Sequence, residues 1–211
     1  MITRRHLLAA CGALAALSVV PRAWAQAQGS KPVPEAATFI ADLTDKAIAG
    51  LTKQNLPIEQ RAQEFRAIFT QNFDVPAIGR FALGRYWRTA SEEEKSEYLK
   101  LFEDFIVGTY SARFGDYSGE KIKITGTRLG DEGDVTVFSE LARANNAGPP
   151  YKVDWRLRRD GSTFKIFDII AEGISMSVTQ RDDFSAAIQR SGGKVSGLIA
   201  SLKEKTAAVP K

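Results

Sequence analysis

The sequence predicts an α+β domain: an antiparallel sheet set between an N-terminal and a C-terminal group of helices. Two observations carry this. The apolar period changes from 3.6 to two after Gly119 and returns to helical spacing after Gly173. The period-two runs are joined by short Gly- and Asp-rich turns, which suit antiparallel neighbours.

The elements follow in order. Phe39, Ile40, Leu43, Ala47 and Leu51 form one helical stripe, ended by Asn55 and Pro57. A second helix from Ile58 carries Ala62, Phe65, Ile68 and Phe69 on one face. Asp74 is placed to cap a third, with Pro76 in its first turn and Gly84 near its end. Ser91-Glu92-Glu93-Glu94 is a capping box, and Tyr98, Leu101, Phe102, Phe105, Ile106, Thr109 and Tyr110 then form a wide aromatic stripe. Strands Lys121–Leu129 and Asp134–Leu141 flank a Gly130–Gly133 turn. After the Ala144–Pro150 loop, Tyr151, Val153, Trp155 and Leu157 alternate with polar residues. Arg159–Ser162 turns the chain into the strand Phe164–Ile170. Two helices, Ser177–Arg190 and Lys194–Lys205, close the chain.

The 211 residues hold one His and one Cys, at His6 and Cys11, inside a stretch that reads as an export leader. Arg4 and Arg5 precede the uncharged run Leu7–Val20, and Ala23-Trp24-Ala25 supplies the small residues a signal peptidase inspects. That run is too short for the ~20 residues of a bilayer-spanning helix. Thr3–Leu8 also fits a twin-arginine leader, so the Sec and twin-arginine routes both stay open. A lipobox ending at Cys11 would leave only Leu7–Ala10 as apolar core, too little for a signal. The expected division is a cleaved leader over 1–25, a flexible linker over 26–33 and a single domain over 34–211. Loss of Arg4, Arg5 and Arg22 brings the formal charge from +4 to 26 basic against 25 acidic residues. Nucleic-acid binding then loses its best argument.

Without His or Cys, a mature protein has no His-based triad, thiol nucleophile, disulfide or Cys/His zinc site. No cofactor or metal is expected, and no Gly-rich phosphate loop is present. Asp131, Glu132, Asp134, Asp182 and Asp183 read as solvated turn and helix-face residues. Asp168 shares the parity of Phe164, Ile166 and Ile170, which points it to the covered face of its strand. A buried carboxylate needs an Arg or amide partner, or else serves as a perturbed catalytic group. The aromatic residues either fill a core or line an apolar cavity, and periodicity does not separate the two.

The run Phe81-Ala82-Leu83-Gly84-Arg85-Tyr86-Trp87-Arg88, the Tyr117-Ser118-Gly119 and Val153-Asp154-Trp155 segments, Ile169–Ser175 with its Glu172-Gly173-Ile174-Ser175, and Thr179–Phe184 with Gly192–Ile199 resemble the MlaC family, or toluene-tolerance auxiliary proteins, in order and spacing. The resemblance covers essentially the whole mature chain. It implies a curved antiparallel sheet of about four to five strands, wrapped by N- and C-terminal helices around an apolar pocket. It also implies no enzyme but a soluble, monomeric periplasmic phospholipid carrier of Gram-negative bacteria. The implied partners are an outer-membrane lipoprotein–porin complex and an inner-membrane MCE-domain ABC transporter complex. A hopanoid-associated branch leaves a hopanoid as an alternative cargo. Two readings of other classes are an enzyme built on Asp168 and an adaptor whose outer apolar surface binds protein.

On this reading the expected lining is Phe69, Phe73, Phe81, Tyr86, Phe102, Phe105, Ile106, Tyr110, Val153, Trp155, Ile166, Ile170, Ile174 and Met176. Arg80, Arg85 and Arg88 are the expected phosphate contacts at the mouth. A charge deep in this lining, such as Ile170→Glu, is expected to abolish lipid retention.

Overall fold

The computed structural model describes residues 32–53, 55–117, 119–143 and 148–207. The leader with His6 and Cys11, the linker as far as residue 31, Ser118 and residues 144–147 of the loop lie outside the described residues.

The first helix, α1 (Pro34–Leu51), begins earlier than its apolar stripe suggests, because Pro34 occupies the first turn, where a missing N–H costs nothing. Val33, the last residue of the expected linker, is buried, and its N–H donates to the Thr127 hydroxyl at 2.7 Å. At the other end of α1, the Leu51 carbonyl accepts from Arg61 Nε at 3.0 Å, and Asn55 turns the chain with φ of 61°. Helices α2 (Ile58–Asn72) and α3 (Val75–Leu83) meet at Asp74, whose carboxylate caps α3 by accepting from Ala77 N at 3.2 Å. Helix α4 (Glu92–Ser111) carries the expected capping box: Ser91 Oγ accepts from Glu94 N, and Glu94 accepts from Ser91 N.

The sheet is an antiparallel meander in the order β1-β2-β3-β4-β5: β1 (Ile122–Leu129), β2 (Val135–Leu141), β3 (Tyr151–Asp160), β4 (Thr163–Ala171) and the short β5 (Ile174–Ser175). Helices α5 (Met176–Arg190) and α6 (Val195–Thr206) follow. Cross-strand register gives the inner face as rows of side chains. The first row is Ile122, Leu141 and Tyr151. The second is Ile124, Ser139, Val153 and Ala171. Thr127, Val137, Trp155 and Ile169 form the third, and Leu129, Val135, Leu157 and Ile166 the fourth.

Register slips between Ile124 and Gly126 in β1, and opposite Arg156 and Leu157 in β4, bend these strands. The second slip reverses the sequence reading of β4. Phe167 is the extra residue, so Asp168 stands across from Arg156 and Ile170 across from Asp154, on the opposite face from Trp155. Ile169 and Ala171 take the inner places that uninterrupted alternation assigns to Asp168 and Ile170. Asp168 is buried nonetheless, because the start of α5 covers it. Its carboxylate accepts from Ser175 Oγ at 2.7 Å and from Ser177 N at 3.1 Å. Ser175 Oγ in turn accepts from Val178 N, so Asp168 and Ser175 together satisfy the first turn of the helix.

Two hydrophobic clusters result. One lies among α2 to α6, built on Phe69, Leu83, Tyr98, Phe102, Phe184 and Ile188. Within it the Tyr98 hydroxyl donates to the Gly79 carbonyl at 2.8 Å, and burial pushes the phenol well above its ordinary pKa, so it stays a donor. The other cluster lies between α1 and the inner face, with Ile40, Leu43, Val137, Trp155, Leu157 and Ile166. Phe73 packs against both. Beside it, the Asp74 N–H donates to the Ile166 carbonyl at 2.8 Å, tying the helical layer to β4.

Chemical denaturation of Phe102→Ala should show a loss of about 3–5 kcal/mol, the range for emptying a buried aromatic site. Ile174→Ala, at a side chain 62% exposed, should stay within about 0.5 kcal/mol of the parent. Asp168→Ala should cost about 1–3 kcal/mol, since the Ser177 amide loses its acceptor under cover.

Candidate lipid-binding site

The inner face is covered unevenly. In the third and fourth rows Val137, Leu157 and Ile166 are fully buried beneath α1 and Phe73, while Tyr151 in the first row is 41% exposed. At this open end lies a groove of about 590 Å3. Its floor is the first row, Ile122, Leu141 and Tyr151; Ile48 of α1 and Phe114 and Tyr117, which follow α4, form its sides. Glu120 and Ala142 complete the edge.

Phe114 begins a ladder of aromatic rings. It lies 5.8 Å from Phe65, Phe65 is 6.0 Å from Phe69, and Phe69 is 5.0 Å from Phe73. Positions 65, 69 and 73 follow at four-residue spacing, one face of α2 and its C-cap. The ladder therefore runs from the groove to the seam between the two clusters. Further in, a polar pair on the inner face is internally satisfied: Trp155 Nε1 donates to Ser139 Oγ at 3.0 Å, and Ser139 Oγ donates to the Val153 carbonyl at 2.6 Å. Among the described residues no buried side-chain nitrogen or oxygen lacks a partner. Among these residues the interior thus offers a ligand no unmet side-chain polar group, which suits apolar recognition.

Charge sits at the rim instead. Arg143 donates to the Tyr151 hydroxyl at 2.7 Å and to the Pro149 carbonyl at 2.6 Å, and its guanidinium lies over the Tyr151 ring. Arg113 stacks over Tyr110 at 5.2 Å. Burial raises the Tyr110 pKa despite that cation, which keeps the hydroxyl neutral.

The structure distributes the residues expected from sequence among several places. Val153, Trp155 and Ile166 share the inner face, and Phe73 reaches it from the helices. Phe69, Tyr86, Phe102, Phe105 and Ile106 belong to the helical cluster. Tyr110 is half-buried under Arg113, and Met176 is half-buried in the first turn of α5. Phe81 and Ile174 are exposed, and Ile170 is on the opposite face. Arg80, Arg85 and Arg88 line a separate groove with Arg158 and Arg181. Arg158 and Tyr151 lie seven residues apart on β3, roughly 23 Å at ~3.3 Å per residue, so these arginines stand away from the apolar mouth. Sequence reasoning missed Ile48, Phe114, Tyr117, Ile122, Leu141, Arg113 and Arg143. A cue existed for Arg113, three residues after Tyr110 on a helical pattern; Arg143, just past a strand end, offered none. Asp168, with both carboxylate oxygens engaged at the start of α5, has the backbone-amide partner that one of its two readings required.

Comparison with known proteins agrees with this architecture. The chain is 25% identical over 138 residues to the intermembrane phospholipid transport system binding protein MlaC of Haemophilus influenzae, covering 63% of this chain and 64% of that protein. It is 24% identical over 115 residues to the toluene tolerance protein ttg2D of Pseudomonas putida, covering 54% and 53%. The matched part thus spans between half and two thirds of these curated relatives. In three dimensions it resembles a phospholipid-binding protein from Ralstonia solanacearum, solved in complex with a phospholipid. The TM-score is 0.73 and the identity 23%, over 84% of this chain and 99% of that one. The family model for the MlaC protein matches residues 41–204, well over half of the sequence, and the chain belongs to the MlaC family.

Proposed function

We propose that this protein is a non-catalytic periplasmic carrier that holds phospholipid by its acyl chains and shuttles it between an outer-membrane lipoprotein–porin complex and an inner-membrane MCE-domain ABC transporter. The observation that carries the reading is the apolar path that opens at Ile122, Leu141 and Tyr151. It is backed by the second row of the inner face and flanked by the Phe114–Phe65–Phe69–Phe73 ladder. The family, and the phospholipid binding of the H. influenzae and R. solanacearum relatives, point the same way.

Energetics set how such a carrier works. A two-chain lipid buries on the order of thirty methylenes at ~0.8 kcal/mol each, about 24 kcal/mol gross. That exceeds the ~18–21 kcal/mol at which non-covalent affinity saturates, before association costs are subtracted. Escape into water is correspondingly slow, and release needs a docked partner. Arg113 and Arg143, at the rim, are placed to meet the phosphate as charge-assisted donors.

Native mass spectrometry of the exported protein, with solvent extraction of bound material, tests the reading. Phospholipid at a defined ratio supports it; a hopanoid would identify the other cargo. A lipid-free mass unchanged by incubation with vesicles would overturn it. The mutational test contrasts two faces of one sheet. Val153→Glu, in the second inner row, should reduce bound lipid to background while the fold persists, because a carboxylate among acyl chains is left without a partner. Ile170→Glu, across from Asp154 on the opposite face, should retain it. Equal lipid content in both variants would remove the inner face from the site.

A further inference from the structure

The groove remote from the apolar mouth, about 620 Å3 in volume, carries charge of one sign. Arg80, Arg85, Arg88, Arg158 and Arg181 line it, and no carboxylate does. Among the described residues Arg80, Arg85, Arg88 and Arg158 have no acidic partner. Arg181 has one loose contact, 3.5 Å from Asp182, whose side chain is 68% exposed. Aromatic faces hold several of the guanidinium groups in place: Arg85 over Tyr86 at 5.0 Å, Arg158 over Phe167 at 4.3 Å, Arg181 over Phe81 at 5.0 Å. Outside the leader, acidic and basic residues nearly balance. Five arginines around one groove are therefore a local concentration, kept against their mutual repulsion.

We propose that this groove docks an acidic segment of a partner protein. Three features favour a protein. Arginine forks pair bidentately with carboxylates, and here they are ordered by stacking before any partner arrives. Arginine and tryptophan dominate the centres of protein interfaces, and Trp87 and the exposed Phe81 stand among these arginines. The site is also concave, so a protruding side chain or turn enters it, whereas a flat bilayer surface meets only its rim. Docking here leaves the mouth at Tyr151 free, so one partner can hold the carrier while the lipid path faces another. The inference rests on the arginines and stands whether or not the protein carries lipid.

Fluorescence anisotropy with a fluorescein-labelled peptide of repeated Glu-Glu-Leu tests it, alongside co-flotation with phosphatidylglycerol–phosphatidylcholine vesicles. The peptide should bind, lose affinity as salt rises, and bind roughly tenfold or more weakly to Arg158→Glu/Arg181→Glu. If that variant melts early, Arg158→Gln/Arg181→Gln removes charge without reversing it and should show the same direction. Lipid content measured on the same samples should not change; its loss in the parent protein would count against the carrier reading and leave this one intact. No peptide binding, or equal binding by parent and variants, overturns the proposal. So does vesicle capture that the variants abolish in the absence of peptide binding, which would make the groove a membrane contact.

Discussion

Phe73 is packed by both hydrophobic clusters, and the N–H of the residue after it donates to the carbonyl of Ile166. This junction constrains the rest of the molecule. It holds the helical layer to β4, together with the bonds from Ser175 and Ser177 to Asp168 at the start of α5 and from Lys165 to the Gln71 carbonyl at the end of α2. The tie is made at the fourth row, where Leu157 and Ile166 are fully buried, and cover is thinner at the first, where Tyr151 is exposed at the mouth. The aromatic ladder of α2 forms one wall from this junction outward.

Helices and strands were legible because their periods differ and their boundaries carry specific chemistry. The Ser91–Glu94 capping box forms as read, and Asp74 caps α3 as read. The Gly130–Gly133 turn closes with the Gly130 N–H on the Asp134 carbonyl and Gly133 at positive φ. The faces of β4 were not legible throughout. A bulge adds one residue without changing composition, and nothing around Phe167 distinguishes it from regular alternation. From that point inward and outward exchange, which moved Ile170 and Asp168 to the opposite face and brought Ile169 and Ala171 in.

The site was legible as chemistry more than as address. Abundant aromatics and the absence of His and Cys beyond position 11 favoured apolar recognition over catalysis, and of the lining expected from sequence Val153, Trp155 and Ile166 share the inner face. Periodicity tells which side of a helix is buried; it does not tell which end of a sheet that helix lies beside. Arg80, Arg85 and Arg88 were therefore readable as a cluster but not as lying a strand's length from the mouth. Arg113 and Arg143 come to the rim only through the packing of the segment after α4 against the ends of β1 and β2.

The slip in β1 has a consequence apart from curvature. An open sheet ends in strands with unsatisfied amides and carbonyls, a template on which other chains can add and begin to aggregate. At one edge of this sheet, β1 is interrupted at Thr125 and presents the exposed Lys123 and Arg128; at the other, the two-residue β5 pairs only with Ile170 and Ala171, and the β4 carbonyls of Ile166 and Phe167 accept from Asp74 N and Ser177 Oγ. Neither edge offers a long, flat, uncharged run for strand addition. An apolar mouth is one route to self-association, and interrupted, covered edges withhold the second that a long regular strand would offer.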